Sequence, residues 1–328
     1  MKNEVINRKN ILLTGGTGFL GSAFLQYTLN LNTSWKIFVI SSGRTIFEKY
    51  TDPNITYIKH DLIENEFPSE LKGIKIDTLV HLATSSTIGP SFDEYTIFNR
   101  IQKVDTSILD IAIKTECKNI IWASSGAVYG EADGEAPFSE RNHMKLSFLP
   151  TENAYRIGKI QSEFIVSKFS EIYMTNLTIL RLFSFSGTNL PINAHFALGN
   201  FVADAINRQK IIINGTGEAV RSYLDQRDFA KILFEIIKSE KNLGIINVGS
   251  PTPVSIADLA KIVSAQYFKI TGINTEIVKM MKSDESKNYY VPDTRKLTQK
   301  VNAGNFIPLE KSITDMLQYF LIRRPQIL

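Results

Sequence analysis

This sequence predicts an α/β fold: a doubly wound parallel sheet with a smaller, loop-rich C-terminal lobe. Short apolar runs alternate with amphipathic helical patterns through the first half. A glycine-rich turn joins the first run to the first helical pattern, and after about residue 184 turn-rich stretches replace the alternation. Strands alternating with helices imply right-handed crossovers and a parallel sheet covered on both faces.

In chain order, "ILLTG" (11–15), "KIFVIS" (36–41), "ITYIKHD" (55–61), "DTLVHLA" (77–83), "NIIWASS" (119–125) and "LTILRLF" (177–183) each read as a buried strand. Between several of them lie "FLGSAFLQYTLN", "IQKVDTSILDIAIKT" and "GKIQSEFIVSKFSEIY", whose apolar residues recur at helical spacing. Later, "SGTNLPINAH", "NGTGEAVRSY" and "GSPTPVS" mark turns between short elements. No repeat or low-complexity tract interrupts the chain.

The 328 residues allow one large domain or two modest ones. A net charge of +4, with Lys and Arg scattered, argues against a nucleic-acid surface and supports only a mild attraction for anions. Cys117 is the only cysteine, so an internal disulfide is excluded and a reducing compartment is expected. The polar start "MKNEVINRKN" argues against a secretory signal, and no segment has the length of an apolar membrane span; a cytoplasmic location is expected. The histidines and acids show no metal-ligand spacing, so no metal is expected.

Gly15, Gly18 and Gly21 follow the first strand as GxxGxxG and open a helix. Small residues there let the backbone approach a pyrophosphate, whose charge the N–H groups of the helix start can meet. Gly15, Gly18, Phe19, Leu20 and Gly21 are therefore candidate dinucleotide contacts. In dinucleotide folds that use NAD, a carboxylate about 20 residues further on bonds the ribose 2′-OH. Here "VISSGRT" puts Ser41 and Ser42 in that place, with Arg44 just beyond. Hydroxyls and a guanidinium suit a 2′-phosphate, so NADP(H) is favoured over NAD(H).

"NAYRIGKI" places Tyr155 and Lys159 one helical turn apart, on one face. A free phenol titrates near about 10, too high for a base at neutral pH. A neighbouring ammonium favours the phenolate and brings it into use.

These segments together resemble the extended short-chain dehydrogenase/reductase superfamily, in its nucleotide-sugar-modifying NAD-dependent epimerase/dehydratase branch. "TGGTGFLG" resembles the cofactor loop, "DTLVHLAT" the HLA strand, and "KHDL" the adenine-side turn. "ASSGAVYG" resembles SS-x-x-VYG, and Tyr155 with Lys159 match YxxxK. The resemblance covers most of the chain, densely to about residue 230. It implies a Rossmann-type dinucleotide-binding domain over 1–184, with a return of 228–250, and a mainly substrate-binding lobe over 185–328. It implies that Ala83 backs the cofactor, that Asp61 and Leu62 meet its adenine side, and that Lys159 holds the nicotinamide ribose. Ser125 becomes the catalytic hydroxyl, with Tyr155 and Lys159; Ser124 is its neighbour.

Sugar-nucleotide 4,6-dehydratases usually carry an Asp-Glu pair after that hydroxyl, where this chain has Gly126 and Ala127. That argues against 4,6-dehydration. A 4-ketoreductase using NADP(H) is favoured, with a 4-epimerase that retains NAD as the alternative. A catalytically silent NAD(P)-binding sensor is a third reading, disfavoured because Tyr155 and Lys159 are both present. Polysaccharide biosynthesis is the expected setting.

In the lobe, "HFALGNFVADAI" and "NGTGEAVRSYLDQRD" resemble diphosphate-binding segments, implying Asn200 and Arg221 as contacts. His195 stands in the same lobe as a candidate sugar contact. Arg295 in "YYVPDTRKL" is a weaker nucleotide candidate, and Asp258 reads as a first-turn charge. Where many relatives carry a relay Asn, this chain has Ile101, with Asn99 two residues earlier. Either the relay is missing or the register shifts. The family's use of two helices across a dimer axis implies a homodimer.

Overall fold

The computed structural model describes residues 8–31, 33–43, 50–64, 66–83, 93–132, 134, 136–144, 153–192, 196–280 and 288–323. Its main sheet contains β1 (Asn10–Thr14), β2 (Lys36–Ser41), β3 (Ile55–Lys59), β4 (Thr78–His81), β5 (Asn119–Ser125), β6 (Asn176–Leu182) and a seventh strand, Gly244–Val248. The order is seventh strand–β6–β5–β4–β1–β2–β3, and every neighbouring pair is parallel. Because β1 lies between β2 and β4, the chain winds outward in both directions from it. The crevice this leaves at the strands' carboxyl ends is where open α/β sheets bind ligands.

The helices are α1 (Phe19–Asn30), α2 (Glu94–Lys114), α3 (Ala154–Tyr173), α4 (Ala197–Arg208), α5 (Gln226–Ser239), α6 (Ile256–Thr271), α7 (Arg295–Lys300) and α8 (Leu309–Ile322). Residues on both sides of β1 are buried, which is why Ile11, Leu12 and Leu13 read as a continuous apolar run. On one face α1 and α5 pack Phe24, Phe229 and Leu233 against the sheet, with Trp35 stacked on Phe234 at 4.6 Å. On the other, Ile108 and Leu109 of α2 and Val166 and Phe169 of α3 meet Leu12, Leu79 and Trp122. The buried Trp122 indole donates to Ser162 Oγ at 2.8 Å, so no donor is stranded there.

The lobe has its own core, in which Leu198, Phe201 and Val202 of α4 meet Leu259 and Val263 of α6 and Ile313 and Leu317 of α8. Its strands are short. Lys210–Asn214 pairs with Glu276–Met280, and Val220–Arg221 lies between Val254–Ser255 and Tyr289–Tyr290. Ser255 caps α6 by accepting the Asp258 N–H at 3.0 Å, and its hydroxyl donates to the carboxylate of Asp258 in the first turn at 2.7 Å.

One polar cluster sits inside the main domain. Glu163 of α3 takes a fork of two bonds from Arg181 of β6, at 2.9 and 2.7 Å, and both side chains are almost fully buried. Removing one partner of such a pair leaves the other charge buried and unpaired, at a cost of about 3–5 kcal/mol. Glu163→Ala should therefore lower the urea midpoint sharply with little change in slope, as equilibrium unfolding would record.

Candidate active site

The main-domain candidate residues stand at the carboxyl ends of five strands, β1 to β5, and on α3. At the end of β1 the chain turns at Gly15 (φ 72°), where a Cβ would stand 2.8 Å from the Ala83 backbone nitrogen. Glycine there lets the first turn lie directly on the segment after β4. The Ala83 N–H donates to Thr14 Oγ1 at 3.1 Å, tying the two strand ends. Gly18 caps α1 with an extended backbone and no side-chain bond, and the Phe19 and Leu20 side chains pack toward the core. What this helix start offers outward is its N–H groups and the positive end of its dipole, a fit for a dinucleotide's diphosphate.

Ser41 closes β2, and its hydroxyl accepts the Gly43 N–H at 3.3 Å. A Cβ at Gly43 (φ 75°) would stand 3.1 Å from Lys59 Cε, so a lysine stem from β3 runs alongside this loop. Arg44 lies outside the described residues, as does His195. Asp61 uses one carboxylate oxygen to accept the Ile63 N–H at 3.1 Å, a turn-forming role. The Leu62 side chain is in the core, leaving its backbone to face any ligand.

Ser125, the last residue of β5, caps the short helical turn Gly126–Tyr129 and accepts the Ala127 N–H at 3.1 Å. Ser124 points the other way and donates to Glu163 at 2.5 Å. Asn153 caps α3 by accepting the Arg156 N–H at 3.1 Å, which puts Tyr155 in the first helical turn. Burial holds the Tyr155 phenol above the ordinary tyrosine value, and a hydrogen bond from Ser125 opposes it. The sequence reading expected Lys159 to depress this pKa. Instead the buried ammonium donates to the Ala123 carbonyl at 2.7 Å, and desolvation dominates at Tyr155.

Burial brings Lys159 itself down to about 8, against the opposing pull of the Asp105 and Glu163 carboxylates. Asp105 is a buried acid of α2, and His81 of β4 lies beside it, with Nε2 3.6 Å from the carboxylate. His81 Nδ1 bonds Thr14 Oγ1 at 2.8 Å, and burial keeps the ring below the usual histidine pKa. Packing on α2 accounts for Ile101. Ile101 is buried against Gly158, where a Cβ would stand 2.7 Å from its Cδ1. That position is apolar; the polar group on this helix face is Asp105, one turn later.

In the lobe, Asn200 is in the first turn of α4. Arg221 is half-buried, and its Nη1 donates to the Val220 and Asn288 carbonyls at 2.8 and 2.9 Å. Burial lowers its pKa, with nearby Tyr223 and Tyr290 opposing. Its guanidinium also lies 5.6 Å from the Tyr290 ring centre. Arg295 is exposed and forked onto Asp293 at 2.6–3.0 Å.

Against known proteins, residues 11–249 match the model of the NAD dependent epimerase/dehydratase family. The chain belongs to that family. It is 26% identical over 306 residues to a trifunctional UDP-glucose 4,6-dehydratase/UDP-4-keto-6-deoxy-D-glucose 3,5-epimerase/UDP-4-keto-L-rhamnose-reductase of Arabidopsis thaliana, covering 90% of this chain but only 45% of that protein. A UDP-glucuronic acid decarboxylase of Xenopus tropicalis is 23% identical over 323 residues, 96% of this chain and 72% of the relative. In structure, the chain is similar to Thermus thermophilus UDP-glucose 4-epimerase in complex with NAD, with a TM-score of 0.81, 17% identity, and 95% and 98% of the two chains covered. A Bacillus anthracis dTDP-glucose 4,6-dehydratase in complex with NAD gives a TM-score of 0.79 at 17% identity, covering 97% and 98%. This family member thus shares the seven-stranded dinucleotide fold of those enzymes. Among its described residues, no helix is long and apolar enough to cross a membrane.

Two residues of the site escaped the sequence reading. Asp105 had a signal, an acid at helical spacing among the apolar Ile101, Ile108 and Ala112. Tyr290 had only an indirect one, a glycine next to the candidate hydroxyl.

Lys159's pKa near 8 sets a pH limit. The ammonium is the acid form, so any step that needs its charge is fully served well below pH 8 and loses it as pH rises through that value. The turnover profile should show a descending limb there. Asp105→Asn removes a carboxylate that favours the ammonium, so the limb should move to lower pH; a limb unmoved by that change would separate it from Lys159.

Proposed function

We propose that this protein is an NADP(H)-dependent 4-ketoreductase acting on a nucleotide-activated sugar. The observation that carries the reading is Ser125 at the end of β5 with Gly126 and Ala127 directly after it, because no carboxylate stands there to expel water. When bound, the nicotinamide supplies the hydride. Gly15, Gly18, Phe19, Leu20 and Gly21 hold its diphosphate, and Ala83, Asp61 and Leu62 line the cofactor's path. Lys159 bonds the nicotinamide ribose and keeps a positive charge near the phenol. Ser125 donates to the sugar C4 oxygen, and Tyr155 gives that oxygen its proton as the carbonyl becomes a hydroxyl. The phenolate left behind is favoured by the Lys159 ammonium and by the N-terminal end of α3.

Arg221 and Asn200 are proposed as the diphosphate contacts of the sugar nucleotide, with His195 at the sugar. The preference for NADP(H) rests on Ser41, Ser42 and Arg44 in place of an acid, and on the Lys59 stem beside Gly43. The second reading, a 4-epimerase that retains NAD, draws on the family's NAD-dependent description. The test is to supply UDP-4-keto-6-deoxy-D-glucose with NADPH or NADH and follow nicotinamide absorbance. We expect NADPH to be consumed one for one with the keto sugar, with a lower KM than NADH. Protein that purifies with NAD and interconverts UDP-glucose and UDP-galactose without added cofactor would instead be the epimerase.

We propose a homodimer through α2 and α3. Tyr95 of α2 and Phe164 and Ile172 of α3 are exposed at 76%, 64% and 72%, an apolar face on helices that already pack together. Phe164→Glu should shift the sedimentation coefficient to that of a monomer; a wild-type monomer would rule the dimer out. A cytoplasmic setting fits the single thiol, Cys117, which is buried and free.

A further inference from the structure

Tyr290 lies in "YYVPDTRKL", far along the chain from the catalytic candidates, yet its hydroxyl lies at the Ser125–Gly126 corner. A Cβ on Gly126 would stand 2.6 Å from Tyr290 Oη and 2.8 Å from the Phe183 ring, closer than a carbon can come to either. Gly126 is the residue that admits the phenol. The ring is fixed from several sides: it lies 4.7 Å from Phe183 and 6.3 Å from Phe138 between centroids, with the Arg221 guanidinium over it. Its strand is fixed too, since Tyr290 is in register with Arg221 and the Val291 carbonyl accepts the Phe138 N–H at 2.8 Å.

A serine hydroxyl has one proton to give and two lone pairs to fill. Ser125 Oγ already accepts the Ala127 N–H. The Tyr290 hydroxyl stands at this same corner, and its bond to the Leu182 carbonyl, at 3.5 Å, is at the outer limit of such a bond. We propose that Tyr290 is a positioning residue of the reacting centre: its O–H donates to Ser125 Oγ, fills the second lone pair, and leaves the Ser125 proton to point at the substrate oxygen. This rests on the proposed reading of Ser125 as the hydroxyl that binds that oxygen. Burial holds the Tyr290 phenol well above the ordinary tyrosine value, so it stays a donor at neutral pH. The ionisable groups facing it are Tyr155, Arg221 and Tyr129.

Tyr290→Phe removes the hydroxyl and keeps the ring. In the full-length protein with NADPH and UDP-4-keto-6-deoxy-D-glucose, kcat should fall about tenfold, the scale of one lost hydrogen bond, with KM little changed. In a Ser125→Ala background the same substitution should cost nothing further, because Tyr290 acts through Ser125. Losses that multiply in the double variant would overturn the role. Tyr155→Phe in the same assay tests the underlying reading: if it stays active, the catalytic assignment fails as well. If it is dead while the Ser125 and Tyr290 losses multiply, only the Tyr290 role falls.

A second measurement uses no sugar. Phenolate absorbance can be titrated in the NADP-bound protein, with the Tyr155 share isolated by difference against Tyr155→Phe. Without Tyr290's hydroxyl, a lone pair on Ser125 is freed to accept from the neutral Tyr155 phenol, so the Tyr155 pKa should rise. An unchanged or lower value rejects the positioning role, whichever sugars are turned over.

Discussion

A carboxylate and a guanidinium buried under the end of β5 hold the parts of the site in register. Glu163 takes Arg181 in a two-bond fork and also accepts from Ser124. Arg181 lies over the Tyr129 ring at 4.7 Å, and Tyr129 donates to Asn247 of the seventh strand at 2.7 Å. Asn247 in turn donates to the Phe138 carbonyl at 2.7 Å, and Phe138 bridges to the segment around Val291. A buried ion pair adds little net stability compared with well-packed apolar residues. Here its value is geometric, because each oxygen of Glu163 has one place to be. Ser124 is thereby committed to the interior, and Ser125, next along the strand, faces the opposite side of the sheet.

The same burial that orders this region works against its charges. Lys159 is in the core, so its ammonium survives only because Asp105 and Glu163 oppose desolvation. Tyr155 is pushed up for the same reason, and Ser125 is the group that offsets it. The two shifts move the pair further apart than their free values, with a lysine near 8 and a phenol above its ordinary range. A site of this kind stays protonated at rest, which suits donation of a proton to a carbonyl oxygen better than its removal from a hydroxyl.

Much of the main domain was legible in the sequence. All six early strands lie where their apolar runs stand, because parallel strands buried on both faces cannot hide their composition. The glycine turn was legible for a local reason, since strand, turn and helix are contiguous. The seventh strand was harder: it joins the sheet beside β6 only after the chain has built α4 and the first lobe strands, so the return over 228–250 came from the resemblance and not from any local pattern. In the lobe the two-residue strands carry no periodicity to read. Asp105 and Ile101 show a different limit. Their roles depend on which turn of α2 faces Lys159 and Gly158, a packing register that spacing within one helix does not specify. The raised Tyr155 pKa was not legible because an i,i+4 ammonium reveals proximity but not the burial that penalises the phenolate.

The short ladder Val220–Arg221 with Tyr289–Tyr290 joins the two ends of the site. Paired residues on one face of a ladder move together, and here the pair is Arg221, proposed for the diphosphate, and Tyr290, beside Ser125. A slip of one residue would turn both side chains to the other face and present Tyr289 in place of Tyr290. What prevents the slip lies on either side of the ladder. Arg221 donates to the Asn288 carbonyl just before it, and Val291 and Asp293 clamp Phe138 just after. Phe138 is in turn held by Asn247, and so by the Tyr129–Arg181–Glu163 chain. Tyr290 is therefore aligned by the buried ion pair of the main domain, although no single segment of sequence contains both.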